Sequence, residues 1–175
     1  MVRVGDIERV IRGGCLNIIG VSAGDCAFGV YDCKSINVSG GAGVYVFFDD
    51  SGGVYYVGEA DDIADRVRGG YHCRANIGGS EGVVRFLMHY LEEICANSGK
   101  WIGFDAVGRE EFVKKVLGEK INSLKIYVVT CKGLSDERQG NRRVRNRLRK
   151  RLEHCLRNRL KPILNSINAR EQSQY

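Results

Sequence analysis

Apolar positions along the chain change their spacing several times, and each change marks an element. Gly43-Val44-Tyr45-Val46-Phe47-Phe48 is rich in β-branched and aromatic residues, as is Val54-Tyr55-Tyr56-Val57-Gly58, and each reads as a strand. Between them Asp49-Asp50-Ser51-Gly52-Gly53 offers residues that tolerate a tight turn, so the pair reads as a hairpin. Leu124–Thr130 reads as a third strand, bordered by Lys132-Gly133. Helical spacing takes over elsewhere. Asp61 or Asp62 caps a short helix carrying Ile63, Arg66 and Val67 that stops at Gly69-Gly70. From Ser80 to about Asn97, Val83, Val84, Leu87, Met88, Leu91, Ile94 and Cys95 make one apolar face, with Gly99 beyond its end. Arg109–Leu117 is a further helix closed by Gly118, after a short strand at Trp101–Phe104.

The last element begins near Gly140. Val144, Leu148, Leu152, Leu156 and Leu160 recur every fourth residue, a narrow apolar seam on a basic helix, and Pro162 ends it. Residues 1–42 are glycine-rich: a short helix near Asp6–Ile11 is followed by brief strands at Cys15–Val21 and Ala27–Tyr31. The expected architecture is α/β in the α+β sense. A small antiparallel three-stranded sheet is flanked by helices, with a short N-terminal region over 1–42 packed on the core. The main domain spans 43–168, with a helical insertion at 73–123, and 169–175 form a polar tail.

Composition narrows the function. A chain of 175 residues, 43% apolar, is long enough for a real core. It has neither an apolar run long enough to span a membrane nor a secretory leader at Met1–Asp6, so the expected setting is intracellular, cytoplasmic or nucleoid-associated. The net charge of +6 is unevenly placed: between Arg138 and Lys161 stand eleven basic residues and one acid, Glu153, leaving 16 basic and 20 acidic residues elsewhere. A basic stripe of this kind displaces counterions from a polyanion such as DNA. The seven cysteines form no C-x-x-C pair and read as small buried hydrophobes, with a structural disulfide as the alternative.

Candidate chemistry sits in the hairpin. A two-residue turn at Asp50-Ser51 places Tyr45 opposite Tyr56, and one at Ser51-Gly52 makes them diagonal neighbours. Both registers put the two phenols on one face, and a slip by one residue would separate them. Gly43-Val44-Tyr45, followed by Tyr56-Val57-Gly58, resembles the signature of the GIY-YIG endonucleases, with valine for isoleucine in both triplets. The resemblance extends to Arg66, eight residues past Gly58, and to Glu153, Lys161, Pro162 and Asn165, whose spacing is nearest that of the nuclease domain in nucleotide-excision repair incision subunits. It covers 43–72 and 124–165.

The resemblance implies a metal-dependent endonuclease that hydrolyses duplex or branched DNA, restriction-like or structure-specific, with Mg2+ (or Mn2+) as cofactor. Glu153 is then the metal ligand, a hard carboxylate suited to such a cation. Arg66 binds the scissile phosphate, Tyr45 activates water, Tyr56 orients the water or the phosphate, and Asn165 braces the site. Family members place a histidine or tyrosine four residues after the arginine. Here position 70 is glycine, and Tyr71 or His72 would have to assist through a longer loop, His72 being preferred because imidazole titrates near neutrality. Arg142, Arg143, Arg145, Arg149 and Lys161 are expected to follow the DNA backbone. Cutting both strands would call for a homodimer. The rival expectation is a nucleic-acid-binding module that kept the fold without catalysis.

Overall fold

Four strands, all antiparallel, form an open sheet in the order β1-β4-β2-β3. They are β1 (Cys26–Asp32), β2 (Gly43–Phe48), β3 (Val54–Ala60) and β4 (Lys125–Cys131). The computed structural model describes residues 4–35, 37–68, 73, 75, 81–96, 99, 103–139, 142–144 and 146–165. The hairpin strands and the Leu124–Thr130 strand adjoin as expected. The sheet has four strands rather than three, because Ala27–Tyr31 from the N-terminal region pairs with β4 along its whole length, from Cys26 opposite Cys131 to Asp32 opposite Lys125.

Apolar side chains alternate across this sheet and create two cores. One lies beneath Val44, Val46, Phe48, Val57, Tyr127 and Val129, and the other beneath Tyr45, Phe47, Tyr56, Ile126 and Val128. The first is covered by the N-terminal helical run and by α7 (Arg147–Leu160), whose Leu152, Leu156 and Leu160 point inward. The second is covered by α3 (Ile63–Arg68), α4 (Glu81–His89) and α6 (Ala106–Asn122).

Several expectations are corrected. Cys15–Val21 is not a strand: α1 (Val4–Arg9) passes through a π-helical stretch (Val10–Cys15) into α2 (Leu16–Ile19). Ile7, Ile11, Cys15 and Ile19 are buried at four-residue spacing, and this packing outweighs the roughly 1 kcal/mol that each of Gly13 and Gly14 costs a helix. The 80–97 helix breaks at Tyr90 into α4 and α5 (Leu91–Ala96), with Tyr90 N–H still donating to Phe86 and Ile94 N–H to Tyr90. Gly118 does not end α6, which runs on to Asn122 after an Asp105 cap. Gly103 and Phe104 are not in a strand, and Trp101 and Ile102 lie outside the described residues, as do Gly69 and Gly70. A small hairpin, β5 (Glu137–Gln139) with β6 (Arg142–Val144), precedes α7. The helix itself starts at Arg147 because Asn146 caps it, accepting from the Leu148 and Arg149 N–H groups.

The cysteines are also corrected. Six of the seven are paired, as Cys15–Cys155, Cys26–Cys131 and Cys33–Cys73, and Cys95 is a free, exposed thiol. Links of this kind suggest an oxidising compartment, although intracellular proteins of hyperthermophiles also carry them. Among the described residues no helix is long and apolar enough to cross a membrane.

Candidate active site

The β2–β3 hairpin sets the site, and its turn sets the hairpin. Asp49 N–H donates to the Gly53 carbonyl at 3.0 Å and Gly52 N–H to the Asp49 carbonyl at 3.1 Å. Gly52 takes φ +88°, the left-handed conformation that a three-residue hairpin loop needs at that position. The Asp49 carboxylate ties the loop together, accepting from Gly53 N–H and Ser51 Oγ at 2.7 Å each and from Tyr55 Oη at 3.1 Å. Burial opposes the charged form, but these hydrogen bonds prevail and hold the Asp49 carboxyl below its ordinary range.

The resulting register pairs Tyr45 with Gly58 and Phe47 with Tyr56, and shifts by one residue between Phe47 and Phe48. The phenols are therefore diagonal neighbours on one face. Their ring centroids are 6.2 Å apart, and both are buried, Tyr45 at 2% and Tyr56 at 8% exposure. Both triplet glycines are sites of close approach. A Cβ at Gly58 would lie 2.4 Å from Cζ of Tyr45, and one at Gly43 would lie 1.8 Å from the Val129 carbonyl oxygen. Phe86 of α4 seals the aromatic cluster from beyond, 6.3 Å from Tyr56 and 5.5 Å from Phe47.

Charged groups act electrostatically on the Tyr45 hydroxyl. Its pKa stands well above the usual phenol value, first because of burial and then because of Tyr56. Arg66 pulls it down, while Glu153 and Glu59 push it up. Arg66 is half-buried on α3, which Asp62 caps by accepting from Asp65 N–H at 3.0 Å. Glu153 projects from α7 beside the buried Leu152, and its Oε1 accepts from Arg157 Nη2 at 2.9 Å. The sequence positions 45, 56, 66 and 153 thus supply one local electrostatic environment.

Asn165 is buried and clasps β3. Its Oδ1 accepts from Val57 N–H at 2.6 Å and its Nδ2 donates to the Val57 carbonyl at 3.0 Å, between Tyr56 and Gly58. Ile163 and Leu164 N–H groups donate to the Val54 and Tyr55 carbonyls, so the segment after Pro162 covers the outer edge of β3.

Compared with protein-family models, curated proteins and solved structures, the chain matches none of them.

The remaining predicted residues are scattered. Lys161 is exposed at the C-terminal cap of α7 with φ +47°. Arg142 and Arg143 fall on β6, whereas His72, Tyr71 and Arg145 lie outside the described residues. Arg149 is a correction. It is 2% exposed and its guanidinium is enclosed by Glu59, by Asp61 at 3.1 Å and by Asp136 at 2.6 Å, with the Leu134 carbonyl at 2.8 Å. A guanidinium so enclosed cannot reach a DNA backbone. It ties α7 to the end of β3 and to the loop before β5.

Glu59 was missed by sequence reasoning, yet a signal existed. It stands three positions after Tyr56, so the two-residue period of a strand turns it toward the basic helix α7, opposite Val44. The donor set for a cation is sparse, since the described residues hold no cluster of three or more acidic, histidine or cysteine ligands. A single carboxylate with water completing the shell fits Mg2+ or Mn2+ better than zinc. A carboxylate offers about four acceptor positions, so the Arg157 bond and a cation are compatible at Glu153.

Proposed function

We propose that this protein is a metal-dependent endonuclease of the GIY-YIG type, hydrolysing DNA phosphodiester bonds in restriction-like or structure-specific fashion. One observation carries the reading. Tyr45 and Tyr56 lie with ring centroids 6.2 Å apart, and Arg66 and Glu153, distant in sequence, both act electrostatically on the Tyr45 hydroxyl. The antiparallel β4-β2-β3 order, with helices on both faces, supports the same reading.

In this proposal Arg66 presents its planar fork to the scissile phosphate and stabilises charge on the non-bridging oxygens. Glu153 would hold Mg2+ or Mn2+, which supplies charge stabilisation for the leaving oxygen and acidifies bound water. Tyr45 works as a neutral phenol, because burial and the nearby carboxylates keep its proton on. It orients the attacking water by hydrogen bonding, together with Tyr56, and the base is His72 or Tyr71 by the resemblance. Asn165 keeps the Tyr56–Gly58 stretch in place. The DNA is intracellular, and the three disulfides then point to a host whose intracellular proteins keep such links.

The second reading is a binding module without catalysis. The ion pair of Glu153 with Arg157 favours it, since it supplies the carboxylate with a resident cationic partner. Incubation of linear, flap and branched DNA with Mg2+ separates the two. Cleavage by the wild type and none by Glu153→Ala supports the nuclease. Binding by both with cleavage by neither supports the module.

A further inference from the structure

Helix α7 carries two different flanks. At 100° per residue, Glu153 and Arg157 lie on one side, and Cys155, about 200° round from Glu153, lies on the other. On that second flank Arg151, Cys155 and Asn158 recur at helical spacing. A cavity of about 300 Å3 opens there, lined by Ile18 and Ile19 of α2 and by Arg151, His154, Asn158 and Arg159 of α7. The Cys15–Cys155 disulfide fixes its wall by joining the two helical segments.

We propose that this cavity is a phosphate-binding subsite that takes one nucleotide unit of a nucleic-acid strand. Among the described residues neither Arg151 nor Arg159 has an acidic partner, so two guanidinium charges border the space without a local counter-charge. Their forks match phosphate oxygens. Asn158 and His154, 3.0 Å apart, add a polar seat. Ile18, left 54% exposed, offers an apolar surface for the sugar or base. The volume is at the small end for a ligand site, which suits one nucleotide. The cross-linked wall reduces the ordering cost of binding. Arg147 and Lys150 lie on the outer part of α7 between the two flanks, so a strand leaving the cavity meets further positive charge. The cavity is distinct from the Tyr45 cluster and does not rest on hydrolysis there.

The test is fluorescence anisotropy of the full chain with a labelled DNA oligonucleotide, without divalent cations, across a range of KCl concentrations. Arg151→Gln/Arg159→Gln is expected to weaken binding about tenfold, the loss of two charge-assisted contacts. It should also lower the slope of log affinity against log salt by about two. Arg159 lies close over Gly14, where a Cβ would come 2.8 Å from its Nη1, so the exposed Arg151→Gln alone is measured as well, with a slope change of about one expected. Lys114→Gln, on α6 over the other core, should leave this binding and its salt slope intact. Unchanged affinity and slope in both variants overturns the proposal. Competition by a mononucleotide as effective as the oligonucleotide overturns the strand assignment and makes the site one for free nucleotides, while weak competition by mononucleotide and inorganic phosphate supports it.

Discussion

The ring of Tyr45 lies across Gly58, on the neighbouring strand, so closely that a Cβ at Gly58 would stand 2.4 Å from Oη. The glycine is thus part of the tyrosine's seat, and it explains why a residue unfavourable in strands occupies the middle of β3. Gly58→Ala is expected to push the phenol off its position and destabilise the fold by about 1–3 kcal/mol, the usual cost of overpacking. Urea unfolding measures this. Gly5→Ala, in α1 with nothing within 4 Å, should by contrast stabilise by up to about 1 kcal/mol.

Arg149 makes a second prediction. Removing it leaves Glu59, Asp61 and Asp136 crowded without their shared cation. Breaking a buried ion pair from one side costs roughly 3–5 kcal/mol, so Arg149→Ala should melt far below the wild type. Arg149→Lys keeps the charge but not the fork, and falls between them. A DNA-contact role would instead predict weakened binding at unchanged stability.

Asp49 gives the hairpin a pH dependence. Its folded pKa is depressed, so its contribution is complete above the ordinary aspartate value of about 4 and is lost as pH falls through the lower folded value. Asp49→Asn should therefore be less stable than the wild type at pH 7 by about 1 kcal/mol. The gap should close in acid, which thermal melts between pH 2 and 7 would follow.

The thiols are countable. Of seven cysteines only Cys95 is unpaired, so a thiol reagent should titrate one group in the native oxidised protein. The Cys15–Cys155 and Cys26–Cys131 links close loops of 140 and 105 residues of sequence separation. Reduction should cost roughly 2–5 kcal/mol per long link and lower the melting temperature. Seven reactive thiols and an unchanged melt would contradict the pairing.

The hairpin and the Leu124–Thr130 strand were legible as runs of β-branched and aromatic residues bounded by turn residues, and the α7 seam by its four-residue period. The diagonal tyrosine register was one of two that a two-residue turn allowed, but the chain reaches it through a three-residue loop and a one-residue shift between Phe47 and Phe48, which no local pattern announces. The N-terminal helix was misread because Gly13-Gly14 mimics a break, while its support comes from α7, far along the chain. Arg149 looked like one more member of a basic stripe. Its burial follows from three acids that no local pattern connects to it. The disulfides join residues between 40 and 140 positions apart, and pairing over such distances is a property of the fold rather than of spacing.

Single-turnover cleavage by Tyr45→Phe, Tyr56→Phe, Arg66→Ala and Glu153→Gln, each shown to be folded, tests the central claim most directly. If the four groups act as one centre, Arg66→Ala and Glu153→Gln should each slow cleavage by about 100-fold or more while DNA affinity changes little, and combining them should cost less than the product of the single effects. Cleavage by the Arg66→Ala/Glu153→Gln double variant at the wild-type rate would contradict the account.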